Sequence, residues 1–170
     1  MVNITRLERV IEKTRKIVES SREELYQLGE TARRDYERTK YELALTRNDI
    51  TDIIQEVDAL ELEYNKSRVY LMEVSRNFDK YNEEQIKNAY DQAHQKQLDL
   101  LSKREKEKML RLHRDYLERS LKTLEITIRR SEELISNIGM ALKILCNDLQ
   151  NASVQIGEMQ QMQALGLSVI

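Results

Sequence analysis

Apolar and small residues recur at alternating steps of three and four along almost the whole chain, and no proline interrupts them. The first stripe runs from Ile4 through Leu7, Ile11, Thr14, Val18, Ser21 and Leu25 to Leu28. It continues through Ala32, Tyr36, Thr39, Leu43, Thr46, Ile50, Ile53, Val57, Leu60, Tyr64, Ser67, Leu71 and Val74 to Phe78. A helix of 3.6 residues per turn nearly repeats after seven, so such steps hold one face towards a partner. The sequence Leu28, Ala32, Tyr36 inserts an extra four-residue step, a stutter that relaxes the left-handed supercoil locally. A stripe this long cannot be covered by its own helix. The chain must therefore pack helix against helix.

Composition agrees. Of 170 residues 34% are charged, Trp is absent, and there are one Phe and four Gly. That balance suits long helices with a narrow apolar seam and wide solvated faces. The net charge of −2 argues against nucleic acid, which needs a basic surface. No apolar run reaches the ~18 residues of a membrane span, and the first residues lack a secretory core. Cys146, the single cysteine, has no intrachain partner, as expected in a reducing cytosol.

One reversal is expected, in the stretch from Ser75 to Ile86. Asn77, Asp79 and Asn82 favour turns and caps because their short side chains bond nearby backbone amides. Asn82 with Gln85 forms a variant capping box, Tyr81 and Ile86 are placed for a hydrophobic staple, and Glu83 and Glu84 suit a first helical turn. The spacing predicts a helix over about 3–76, a turn over 77–82 (Asn77, Phe78, Asp79, Tyr81 and Asn82) and a helix over about 83–165. Gly29 and Gly139 are candidate kinks, each costing about 1 kcal/mol against Ala.

In the second helix the stripe is poor at first, with Ile86, Tyr90, Ala93, Leu100 and Leu101 interleaved with Gln97 and Arg104. It sharpens from Leu110 through Leu117, Ile128, Ser131, Ile135, Leu142, Leu145, Leu149, Ala152 and Ile156 to Met159. Leu134, Ala141 and Ile144 broaden this later face, which points to a homodimer contact there. Charge selects the pairing. Residues 48–63 hold six acids and no Lys or Arg, and folding about Asp79–Lys80 sets them beside the basic segment from Lys96 to Arg111. A parallel dimer of the first helix would instead face acid with acid. The expected fold is all-α: a long antiparallel coiled-coil hairpin that dimerises into a helical bundle.

No catalytic or metal constellation is legible. His94 and His113 are far outside the i, i+3 or i+4 spacing of helical metal ligands, and no glycines cluster as a phosphate loop. The order and spacing of short segments carry more information. Val74-Ser75-Arg76-Asn77-Phe78, Glu83-Glu84-Gln85-Ile86-Lys87-Asn88-Ala89-Tyr90 and Ala93-His94 closely resemble the N-terminal sensory region of DegS-type histidine kinases. The likeness continues in Arg104-Glu105-Lys106, Leu117-Glu118-Arg119-Ser120-Leu121 and Arg130-Ser131-Glu132-Glu133-Leu134. Leu28-Gly29-Glu30, Leu165-Gly166-Leu167 and Ile170 extend it.

That resemblance implies a cytoplasmic signalling module of a two-component system. In such kinases a phosphoacceptor His, typically in His-Asp or His-Glu, and an ATP-binding domain follow this region. Here His94 precedes Gln95 and His113 precedes Arg114, so this chain is expected to be no enzyme itself and to hold no cofactor. ATP and Mg2+ are implied only for the parent kinase, which would phosphorylate a DegU-like response regulator. The expected working parts are the turn, the seam, and the output stripe Leu149, Ala152, Ile156 and Met159. An unidentified protein input partner is compatible with this. The competing expectation is a structural or scaffold coiled coil with no attached enzyme.

Overall fold

The computed structural model describes residues 4–166. Two long helices joined by one short turn account for the described chain: α1 (Ile4–Arg76), a 3-10 turn (Phe78–Lys80) and α2 (Glu83–Ala164). The expected start near residue 3, and Leu167 and Ile170 of the resemblance, lie outside the described residues. Helical hydrogen bonding is continuous through Gly29 and Gly139. The fold is an all-α hairpin, as the periodicity requires.

Packing divides the hairpin into two compact units. One comprises Glu37–Lys122; the other joins the residues up to Tyr36 with those from Thr123 onward. In the unit containing the turn, α1 turns Thr39, Leu43, Thr46, Ile50, Ile53, Val57, Leu60, Tyr64, Ser67, Leu71 and Val74 inward, each buried or half-buried. Ile53, Val57 and Leu100 form its centre, with Leu60, Tyr64 and Leu110 against them.

The facing stretch of α2 corrects the sequence reading. Tyr90 and Leu101 are exposed, and the inward positions are Ala89, Ala93, Lys96, Leu100, Lys103, Glu107, Leu110, Arg114 and Leu117. This is an unbroken four–three alternation. It looked poor because Lys96 and Lys103 occupy seam positions. Their aliphatic stems can cover apolar surface while the ammonium groups reach the rim. There Lys96 Nζ meets Glu63 at 2.6 Å and Lys103 Nζ meets Glu56 at 2.8 Å. Arg104 pairs with Glu61 at 2.9 Å and Arg47 with Glu118 at 3.3 Å. Opposite charges thus meet between the antiparallel helices.

In the other unit Leu7, Ile11, Thr14, Val18 and Leu25 point inward, but Ser21 and Leu28 do not. Leu28 is 53% exposed and Gly29 takes its place at the seam. The extra four-residue step therefore lies at Leu25–Gly29, not at Leu28–Ala32–Tyr36. The reason is steric, since α2 comes close here. A Cβ on Gly29 would sit 2.7 Å from Ser131 Oγ.

Candidate functional site

Among the described residues the side chains that could hold a metal ion do not converge. No buried side-chain nitrogen or oxygen among the described residues lacks a hydrogen-bond partner. His94 and His113 are both exposed, each stacked on a tyrosine of its own helix, Tyr90 and Tyr116. Among the described residues no helix is long and apolar enough to cross a membrane. Three features of the hairpin are candidates for a role: the capped turn, a close helix crossing, and an uncovered face on α2.

The turn is built as its residues dictate. Asn77 donates its backbone amide (3.0 Å) and its side-chain amide (3.2 Å) to Glu73 O, closing the end of α1. Lys80 N donates to Asn77 O, and Tyr81 is extended at φ −122°, ψ 144°, which redirects the chain. At Asn82 both bonds of the capping box are present. Gln85 N donates to Asn82 Oδ1 at 2.8 Å, and Asn82 N donates to Gln85 Oε1 at 3.1 Å. The cap satisfies an otherwise orphaned amide in the first turn of α2 as well as that of Asn82 itself.

Tyr81 ties the turn back to α1. Its ring lies edge-on to Tyr70, 6.3 Å between centroids, and its hydroxyl donates to Glu73 at 3.5 Å. Loss of solvation raises the Tyr81 phenol above its ordinary value, and the Glu73 charge adds to this. Asp79 is exposed, and Phe78 beside it is 63% exposed.

The crossing at Gly29 was not anticipated as a contact. Ser131 is buried and donates to Ile128 O at 2.8 Å, so its hydroxyl is satisfied within α2. Beside it Arg33 bridges Glu30 on its own helix and Glu132 on α2. Hydrogen bonds to Glu132 and then Glu30 raise the guanidinium's already high pKa. The signal was present in sequence: Gly29 and Ser131 are nearly equidistant from the turn, and both are small.

Towards the end of α2 the inward positions are Leu142, Cys146, Leu149, Ser153, Ile156 and Gln160, all half-buried. Arg15 Nη2 lies 4.0 Å from Cys146 Sγ there. Of the expected output stripe, Leu149, Ala152 and Ile156 are half-buried, whereas Met159 is 49% exposed. The step after Ile156 is four residues, which brings Gln160 inward and leaves Met159 on the flank. Leu145 is displaced in the same way by Cys146. Leu134, Ile138, Ala141, Leu145, Ala152 and Met159 then form a second stripe beside the hairpin seam, at steps of three, four or seven. Leu134, Ala141, Leu145 and Met159 in it are exposed.

Comparison with known proteins places these features in context. The family model for sensor protein DegS matches residues 8–166. The signal transduction histidine-protein kinase/phosphatase DegS of Bacillus subtilis (strain 168) is 38% identical over 164 residues, covering 96% of this chain and 43% of that protein. Its namesake from Brevibacillus brevis is 34% identical over 164 residues, covering 96% of this chain and 42% of that protein. No solved structure matches. The chain therefore spans less than half the length of the curated relatives it resembles.

Proposed function

Because the chain belongs to the sensor protein DegS family, we propose that it is the input and signal-transmitting module of a cytosolic histidine kinase, acting as a parallel homodimer. In this reading the parent enzyme phosphorylates a DegU-like response regulator. ATP and Mg2+ act in its kinase core, and this region contributes conformation, not chemistry. The single observation that carries the proposal is the family match along nearly the whole hairpin.

The second stripe on α2 supports the dimer. Leu134, Ala141, Leu145 and Met159 are left uncovered by α1, yet they keep the spacing of a helix-packing face. A twofold axis along the helices lets the same stripe of two copies meet and keeps both output ends together. Leu145→Glu should convert the dimer to a 20.2 kDa monomer in sedimentation equilibrium at micromolar concentration, with helicity retained. A variant that stays dimeric would show that this stripe is not the interface.

Transmission is tested in the intact kinase with ATP and its regulator. Two residues inserted after Gln160 rotate everything downstream by roughly 200°, while seven return the stripe to the same side. The two-residue insertion is expected to lock phosphotransfer on or off, and the seven-residue insertion to retain regulation. Gly166, at φ 75°, is the available joint. Identical behaviour of both insertions would mean that the helix swivels and does not transmit rotation.

A further inference from the structure

A different apolar surface remains on α2 within the unit that contains the turn. Leu98, Leu101, Met109, Leu112 and Tyr116 are between 47% and 60% exposed. Leu98 lies two residues, about 200°, from buried Leu100, so this face points away from α1. We propose that the face from Leu98 to Tyr116 is a second docking surface for another copy of this chain, paired antiparallel. It is independent of the kinase reading and uses other residues than the Leu134–Met159 stripe.

Charge and spacing set the orientation. The stripe positions are Asp91, His94, Leu98, Leu101, Glu105, Lys108, Leu112, Asp115, Arg119 and Lys122, alternating three and four. Antiparallel helices oppose the two kinds of stripe position in turn. In the register that sets Leu101 on Leu112 of the second copy, Glu105 faces Lys108, Asp91 faces Lys122 and His94 faces Arg119. Leu98 then meets the second copy at Asp115–Tyr116, where the tyrosine ring supplies apolar cover. A parallel pairing opposes every residue to its own copy, Glu105 to Glu105 and Lys108 to Lys108, which selects against it.

The neighbouring arginines are already paired. Arg104 is held by Glu61 and Arg111 by Glu107, while Glu105 and Lys108 make no ion pair among the described residues. From Leu98 to Tyr116 the face is about 27 Å long at 1.5 Å per residue. A stripe of that length offers a few hundred Å2, less than the ~800 Å2 per partner of a standard interface. The contact is accordingly weak and reversible, and it is best trapped chemically.

The test uses the full chain carrying Cys146→Ser and Leu145→Glu, so that neither the native thiol nor the parallel stripe contributes. Leu101→Cys and Leu112→Cys are made separately, one with a mass tag, and treated with a short bis-maleimide at about 100 μM protein. The mixture should give a crosslinked heterodimer, with each variant alone giving at most about one-fifth of that yield. Glu105→Lys or Lys108→Glu should each lower the mixed yield about fivefold, and the two reversals together should restore it. Circular dichroism should show unchanged helicity, since Leu101, Glu105, Lys108, Leu112 and Leu145 are exposed and Ser is close in size to the half-buried Cys146. Crosslinking of each variant with itself would mean a parallel contact, and no crosslink in any sample would mean a different occupant. Failure of the double reversal to restore the yield would remove the register. Any of these three results overturns the proposal.

Discussion

The unit around the turn and the unit at the chain ends use the same repeat but finish differently. Between Glu37 and Lys122 the seam carries nine buried apolar residues: Leu43, Ile50, Ile53, Val57, Val74, Ala89, Ala93, Leu100 and Leu117. Ion pairs rim it and a capped turn closes it. Beyond Gly29 and Ser131, towards the two ends, the described seam residues are only half-buried, and exposed apolar side chains flank them. One partner helix buries the seam of the first region, while the face of α2 from Leu98 to Tyr116 stays exposed there. In the second the seam itself is only half-covered, and the proposed dimer would add apolar burial there.

The largest expected difference lies in core truncation. Leu100→Ala should cost about 2–4 kcal/mol in urea denaturation, because it opens a cavity beside Ile53 and Val57. Leu149→Ala, at a half-buried position, should cost about 1 kcal/mol, since less apolar area is lost from burial there. Equal losses would abolish the contrast between the regions. Hydrogen exchange sharpens the same point: amides near Ile53 and Leu100 should exchange far more slowly than those near Ile11 and Leu149.

Next in size is Gly29→Ala. Helix propensity alone favours the change by about 1 kcal/mol. The new methyl, however, would lie 2.7 Å from Ser131 Oγ, and such overpacking costs about 1–3 kcal/mol. A net loss is expected, recovered when Ser131→Ala is added, because the hydroxyl in the way is then gone. Stabilisation by Gly29→Ala alone would show that the crossing is loose. Asn82→Ala should cost about 1 kcal/mol through the lost cap bond from Gln85 N. The same change at exposed Asn151 in the other region removes no cap, and Ala is the better helix former, so no loss is expected there.

The smallest effect is the pH dependence of the rim. The hydrogen bond from Lys103 and its charge lower the Glu56 carboxyl below the ordinary range. Its contribution is present above the unfolded carboxylate value and is lost as pH falls through the lowered folded value. Glu63 raises the Lys96 ammonium, first by hydrogen bonding. That contribution is full below the ordinary lysine value and is lost as pH rises through the raised one. Both charged ends lie at the solvated rim, so salt screens them and the shifts in denaturation midpoint should be small. Glu56→Gln should remove part of the acid-side loss; an unchanged acid limb would assign that loss to other carboxylates.

The sequence by itself determined that the chain is helical, where it reverses, and which way the helices pair. Period, cap chemistry and charge sign are local or nearly local properties, and from Tyr36 to Val74 they identify the inward row. The Asn82–Gln85 box was legible for the same reason. Three features were decided only by tertiary structure. Lysines at 96 and 103 lie in the seam because their stems, not their charges, face the partner helix. Gly29 displaces Leu28 because the opposing helix at Ser131 leaves no room for a side chain. Cys146 and Gln160 displace Leu145 and Met159 from the inward row because that row takes an extra four-residue step between Ile138 and Cys146, where the seam against α1 shifts phase. Hydrophobicity marks which residues prefer burial; only the partner helix determines which of two adjacent stripes is covered.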